Sequence, residues 1–258
     1  MPDLLNVEDR GAVRWLTIER PEVRNAIPSG GWDELRAAFA AFEDSLARVM
    51  VIRGRGDDFC SGADVSSLDA ADGVVAAAAA MARTGAAAVA LHRLSKPTVA
   101  AVDGVAVGAG MNLALGCDVV IATDRARFSE IFVRRGLSLD FGGSWHLPRL
   151  VGMARAKELA LTGRIVDAAE ALEIGLVSRV VTADHLEAAA TETAEAMAAG
   201  APLAQRFIKV TLDRAASLTF EQAIDLEGQA QSVLIGSEDL KEAVAAFEEK
   251  REPRFEGK

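Results

Sequence analysis

Residues 135–145 read RGLSLDFGGSW and hold a single carboxyl group, Asp140, between Leu139 and Phe141 just ahead of a Gly pair. An acid with apolar neighbours is poorly hydrated in its charged form and becomes a stronger base, which suits proton transfer to and from carbon. Taken alone, the stretch fits a helix N-cap better than catalysis, since an Asp carboxylate accepts from the first free N–H groups of the next helix, and the rest of the chain must decide. Two turns rich in small residues supply the other requirement of such chemistry, a place for negative charge. FCSGADVSSL (residues 59–68) follows the strand-like RVMVIRG, and DGVAVGAGMNLAL (residues 103–115) follows TVAAV. In the second turn Gly108, Ala109 and Gly110 lead into a helical run, so their N–H groups are exposed at a helix start. One N–H from each turn, converging on a carbonyl oxygen, stabilises an enolate or a tetrahedral oxyanion, and losing one such donor costs on the order of 3 kcal/mol in the barrier. Tight packing explains either turn taken alone.

The elements that must position these groups read as an α/β chain. AVRWLTIER, RVMVIRG, PTVAAVDGVAVG and CDVVIATD have the Val and Ile content and flanking turn residues of strands. Between them, GGWDELRAAFAAFEDSLA and VVAAAAAMARTGAAAVALHRLS have helical spacing or helical propensity. The second of these is of low complexity over residues 74–90, which makes part of it a candidate mobile flank. Beyond about Ala183 four helices follow: HLEAAATETAEAMAA, PLAQRFIKVTLDRAA, TFEQAIDLEGQAQSVLI and SEDLKEAVAAFEEK. Leu226, Ala230, Val233 and Leu234 keep an apolar stripe along the third.

Composition narrows the partners. Half of the 258 residues are hydrophobic, enough for a sizeable core in one or two domains. MPDLLNVEDRG has neither the basic start nor the apolar run of a signal peptide, and Gly, Asp or Lys breaks the later apolar stretches. The expectation is a cytoplasmic protein with no membrane contact. A net charge of −10 opposes attraction to nucleic-acid phosphates, whereas an anionic small ligand can still bind at helix N-termini and local bases. Cys60 and Cys117 lack metal-ligand spacing and read as reduced structural thiols, and no metal is expected.

RPEVRNAI (residues 20–27), FCSGADV (59–65), DGVAVGAGMNLALGCDVVIA (103–122), LPRLVGMARAKELALTG (147–163) and AAEALEIGLVSRVV (168–181) resemble, in order, the serial motifs of the crotonase, or enoyl-CoA hydratase/isomerase, superfamily. The resemblance covers nearly the whole chain and implies a crotonase fold. Residues 1–195 would form a superhelical core of repeated ββα turns, and residues 196–258 a helical region making the contacts of a homotrimer or a dimer of trimers. It implies an acyl-CoA thioester as substrate, with coenzyme A carried as part of that substrate and no separate cofactor. By position, Ala63 and Ala109 would be the oxyanion-hole donors, with Gly108 beside the second. The backbone of Asp64 and Val65 would meet the adenine end of coenzyme A. Arg24 lies in the first ligand-contacting loop and would reach the CoA phosphates, though an exposed surface Arg is an equal reading.

The sequence departs from the hydratases at both of their glutamates, which would fall at Asn112 and Phe132, residues that cannot act as general acid or base. Glu130 is two residues from the second position and need not face the same pocket. FSEIFVRRGLSLDFGGSW is instead similar to two isomerase branches, the ring 1,2-epoxyphenylacetyl-CoA isomerase and the peroxisomal Δ3,Δ2-enoyl-CoA isomerase. In both, the proton-moving acid occupies the position of Asp140 and Phe that of Phe132. One carboxylate then suffices: Asp140 takes the C2 proton and returns it at C4, with Leu139, Phe141 and Phe132 excluding water. The expected function is acyl-CoA isomerisation. The alternatives are an enoyl-CoA hydratase with non-standard acids, Asp140 and Glu130, and a catalytically weak acyl-CoA-binding protein. Met81, Val89, Phe132 and Trp145 are candidate pocket-lining residues. His92, His146 and His185 are expected to be structural, as is Asp118 at a turn, and Ser61, Ser66 and Ser67 belong to no arguable triad.

Overall fold

The computed structural model describes residues 4–64, 66 and 73–258. Its strands are β1 (Leu5–Arg10), β2 (Val13–Ile18), β3 (Val49–Gly54), β4 (Thr98–Val102), β5 (Val105–Val107), β6 (Val119–Thr123), β7 (Arg127–Ser129), β8 (Val166–Asp167) and β9 (Arg179–Val181). Its helices are α1 (Gly31–Glu43), α2 (Gly73–His92), α3 (Ala109–Leu115), α4 (Gly143–Val151), α5 (Met153–Thr162), α6 (Ala168–Glu173), α7 (Leu186–Ala198), α8 (Pro202–Ala215), α9 (Phe220–Ile235) and α10 (Glu238–Glu249). One sheet runs β1-β2-β3-β4-β6-β9, parallel except for the β1–β2 hairpin, and a smaller sheet runs β5-β7-β8.

The chain builds both sheets at once in successive turns: β4–β5–α3, then β6–β7–α4, with β3 and a bridge from Cys60 to Ala106 preceding α2. PTVAAVDGVAVG, read above as one strand, is broken at Gly104 into β4 and β5 in different sheets. Gly104 has φ +51°, and a Cβ there would meet the Asp57 carbonyl oxygen at 2.1 Å, so the step between sheets requires glycine. β1, β7, β8 and β9 were not expected. β1 is a polar, largely exposed edge strand, and β7, β8 and β9 have only two or three residues each, too short for a period-2 pattern to show.

Alternation along the parallel strands divides the core. Leu16, Ile18, Met50, Ile52, Ala100 and Val102 point to one face, and Trp15, Val49, Val51, Val99, Ala101 and Ile121 to the other. The second face is closed by α7 through Ala189, Ala190, Ala194 and Ala198. The expected boundary between residues 195 and 196 falls inside that helix. The Ala-rich segment expected as a mobile flank is helical throughout α2, consistent with the high helix propensity of Ala, and buries Thr84, Ala87 and Leu91 as it packs on α1. The run is not broken as the sequence suggested. Gly85 interrupts its composition but not the helix, and α2 is long and apolar enough to cross a membrane by length and composition.

Candidate active site

The loops that follow parallel strands β3, β4 and β6 meet at one end of the sheet, the usual place for a ligand in open α/β structures. The loop after β3 is laced to β5: Cys60 N–H donates to the Val105 carbonyl and Val107 N–H to the Cys60 carbonyl. On its other side Ile27 N–H donates to Gly62 O, and Asp64 N–H to Ile27 O. This pattern uses the groups flanking Ala63 and leaves the Ala63 N–H without a partner among the described residues. Ala109 opens α3, so its N–H is also free of the helix. The two turns touch. A Cβ on Gly62 (φ +90°) would lie 2.9 Å from Val107 O and 3.4 Å from Ala109 N, and one on Gly110 would collide with Cys60 O. Gly108, φ +55°, turns the chain from β5 into α3.

A cleft of about 510 Å³ opens beside this pair, lined among others by Ala63, Gly108, Ala109, Met81, Phe132 and Asp140. Phe132 is buried, with its ring against Gly108. Among the described residues two acids line the cleft, Asp64 and Asp140, and their surroundings differ. Asp64 accepts from both the side chain and the N–H of Ser66 and pairs with Arg20 at 3.0 Å, contacts that hold its carboxyl below the usual range. Asp140 is instead desolvated, which pushes its pKa up to about 6, and its buried Oδ1 has no hydrogen-bond partner among the described residues. Asp140 is not an N-cap. The cap position of α4 is Gly142, and no side chain caps that helix. Phe141 adopts φ +46°, unusual for a bulky residue, and its ring packs on Trp32 at 5.4 Å between centroids. The left-handed pair Phe141–Gly142 turns the chain between Asp140 and the helix it would otherwise cap.

Behind Asp140 lies a second carboxyl group that the sequence did not place. Glu130 is 1% exposed, and burial is the main cause pushing its pKa up to about 8, with the Asp140 charge adding to it. Asn112 Nδ2 donates to Glu130 Oε2 at 3.3 Å and to the Asp140 carbonyl at 3.0 Å. At the mouth, the Arg24 guanidinium is 67% exposed, with its Nε 3.7 Å from Asp58. Its backbone is left-handed, as is that of buried Asn25, whose side chain ties the turn to Arg55 O and Asp58 O. Arg135 lines the same cleft and was missed, although the Arg pair ahead of Gly136 was visible in the sequence. Asp64 also lines it, while Val65 lies outside the described residues. Paired N–H donors, a desolvated carboxyl and cations at the mouth can together bind an anionic thioester and move a proton on it.

Residues 8–258 match the enoyl-CoA hydratase/isomerase family. The chain is 36% identical over the whole length of both proteins to 1,2-epoxyphenylacetyl-CoA isomerase of Escherichia coli. It is 38% identical to a probable enoyl-CoA hydratase of Rhodobacter capsulatus over 94% of each chain. It superimposes on the crystal structure of enoyl-CoA hydratase from Bacillus anthracis with a TM-score of 0.95 and 31% identity, covering 99% of this chain and 100% of that one. The chain belongs to the enoyl-CoA hydratase/isomerase family. Its fold is the crotonase fold, as the serial motifs implied.

Within this hydratase/isomerase chain, several sequence candidates lie away from the cleft. Trp145 does not line it. With His92 and His146 it borders a separate cavity of about 420 Å³ between α4 and α8. Burial is the main cause that lowers the His146 pKa to about 4. Val89 projects from α2 and is exposed. His185 sits on the surface beside Thr182 and Asp184. Ser61 donates to Val23 O and Ser66 to Asp64, while Ser67 lies outside the described residues. Asp118 accepts from Thr98 and Lys209 and fastens the start of β4 to α8. Cys60 and Cys117 are free and buried, each thiol pushed up to about 12 by desolvation.

Proposed function

We propose that this protein is an acyl-CoA isomerase that shifts a double bond through an enolate. The observation that carries the reading is the contrast between Asp64 and Asp140, the acids that line the cleft among the described residues. Asp64 is held by Ser66 and Arg20, whereas Asp140 keeps a desolvated, unpartnered oxygen in the same cleft as Ala63 and Ala109. With the thioester oxygen accepting from the Ala63 and Ala109 N–H groups, charge that develops on removing the C2 proton is stabilised where it forms. Asp140 takes that proton from a 3-enoyl thioester, the electron pair delocalises over C2, C3 and C4, and the same carboxyl returns the proton at C4. No proton is gained or lost overall and no water is used. Phe132 and Asn112, at the two positions where the hydratase pattern has glutamates, offer no second acid.

Arg24 and Arg135 at the mouth suit the phosphates of coenzyme A, which enters as part of the substrate, and the backbone near Asp64 suits its adenine end. A hydratase reading is favoured by relatives named as probable enoyl-CoA hydratases and by a second carboxyl, Glu130, near Asp140. The test is conversion of trans-3-hexenoyl-CoA to its conjugated 2-enoyl isomer by wild type and Asp140→Asn, with crotonyl-CoA assayed in parallel. Isomerisation lost in the variant, with thioester binding retained, supports the proposal. Consumption of crotonyl-CoA in its place points to the hydratase. Binding with turnover indifferent to Asp140 points to a protein that only holds acyl-CoA.

A further inference from the structure

Glu130 is absent from the lining of the cleft, yet it is buried at 1% exposure and joined to the loop that carries Asp140. The joint is the Asn112 amide. One Nδ2 hydrogen goes to Glu130 Oε2 at 3.3 Å and the other to the Asp140 carbonyl at 3.0 Å. Its orientation is fixed, because a flipped amide would face the Asp140 carbonyl with another acceptor. The same amide is wedged against the first residue of α4, where a Cβ on Gly143 would come within 2.4 Å of Nδ2. The Asp140 carbonyl also accepts from Gly143 N–H at 2.9 Å, so this peptide is pinned from α3 and α4 together.

We infer that Glu130 is a positioning residue for Asp140, acting through the Asn112 amide and exchanging no proton with the substrate. The inference rests on the isomerase reading of the site. Among the described residues three buried oxygens have no partner here: Asn112 Oδ1, Glu130 Oε1 and Asp140 Oδ1. The cluster is short of donors, and an ionised Glu130 would add one more unmet acceptor. A neutral Glu130 carries the missing hydrogen, in accord with the desolvation that raises its pKa, and Asp140 is the titratable group that acts on it. The cluster then holds one negative charge, on Asp140, where the reaction needs it.

The test uses the full chain with Glu130→Leu, Glu130→Gln, Asn112→Leu and the double Leu variant, each checked for folding. Glu130→Leu is expected to lower kcat about 10- to 100-fold with KM little changed, the size of effect expected when a contact that only positions the reacting group is lost. Glu130→Gln, which keeps an acceptor for Asn112 and supplies an N–H in place of the O–H, restores most of that loss. Asn112→Leu reproduces the defect, and the double variant is no worse than either single one, because both remove the same joint. Losses that multiply in the double variant, or a Glu130→Gln as impaired as Glu130→Leu, overturn the inference. If Glu130→Leu does not fold, Glu130→Gln and Asn112→Leu still decide it. If the wild type turns over no 3-enoyl thioester, the isomerase reading fails on its own, and the Asp140 titration remains as a readout. Followed by 13C-aspartate NMR, with Asp140 assigned from Asp140→Asn, it should fall toward the ordinary carboxylate range in Glu130→Leu and stay in place in Glu130→Gln. An Asp140 titration unmoved by Glu130→Leu overturns the inference independently of activity.

Discussion

The charge state of Asp140 sets the first expectation. Its pKa is raised from 3.8 to about 6 by desolvation, and only the ionised form can take a proton. Isomerase kcat/KM should therefore rise with pH through about 6 and level off above it, a limb read from initial rates between weakly acidic and neutral buffer. Asp140→Asn should lower kcat by roughly 10²- to 10⁴-fold, the usual worth of a positioned acid–base group, and a variant within a few fold of wild type would remove Asp140 from the mechanism. Gly62→Ala addresses the opposite wall. Its methyl would lie 2.9 Å from Val107 O on a backbone at φ +90°, so the turn must shift and take the Ala63 N–H with it. Turnover should drop on the order of 10²-fold, as when one oxyanion donor is lost, and a kcat split from KM is the measurement. Much of this site was legible in the sequence. Small residues mark turns, and one acid amid Leu139 and Phe141 marks a desolvated carboxyl. Neither the direction of Glu130 nor the left-handed Phe141 was legible, because two residues of irregular chain can face either way and a positive φ on Phe is fixed by its packing on Trp32.

At the scale of elements, the closure of the sheet by α7 is the contact with least tolerance. Ala190 and Ala194 are fully buried against strands that present Val51, Val99 and Ile121, so the middle of the helix approaches on alanines, with Leu186 and Met197 packing at its ends. Ala194→Leu inserts three carbons where no volume is free and should cost about 1–3 kcal/mol, read as a lower denaturation midpoint at unchanged slope. Little change would mean that α7 can move away from the sheet. The main strands were visible because apolar residues, Val and Ile among them, fill most of β2, β3, β4 and β6 between turn residues, and the four C-terminal helices were visible from their spacing. The change of sheet between β4 and β5 was not, since a turn after TVAAV does not say which sheet the following VAV joins until the approach of the Asp57 carbonyl to Gly104 is known. α2 was legible as a helix, but its packing on α1, far away in sequence, was not.

At the scale of the whole molecule, the C-terminal helices present a surface to be explained. α8 buries none of its residues, and apolar side chains stand out along α8, α9 and α10: Ile208, Leu212, Phe220, Val233, Ile235 and Phe247, the last 85% exposed. Leu46, Leu161 and Ile165 are exposed elsewhere, but three successive helices that each present apolar side chains to solvent suit association better than they suit water. A homotrimer or dimer of trimers covering these helices is the expected state, and light scattering should return three or six times the 27.1 kDa chain mass at micromolar concentration. Phe220→Glu combined with Phe247→Glu buries two unpaired charges in any interface formed there and should shift the mass toward a single chain, while leaving the secondary structure intact. Neither Phe lines the cleft or belongs to the buried core, so a loss of isomerase activity that tracks the loss of mass would mean that a neighbouring chain completes the acyl pocket. Full activity in a dissociated variant would mean that the cleft of one chain is sufficient. A wild type that is a single chain at every concentration would leave these helices as a surface for some other partner.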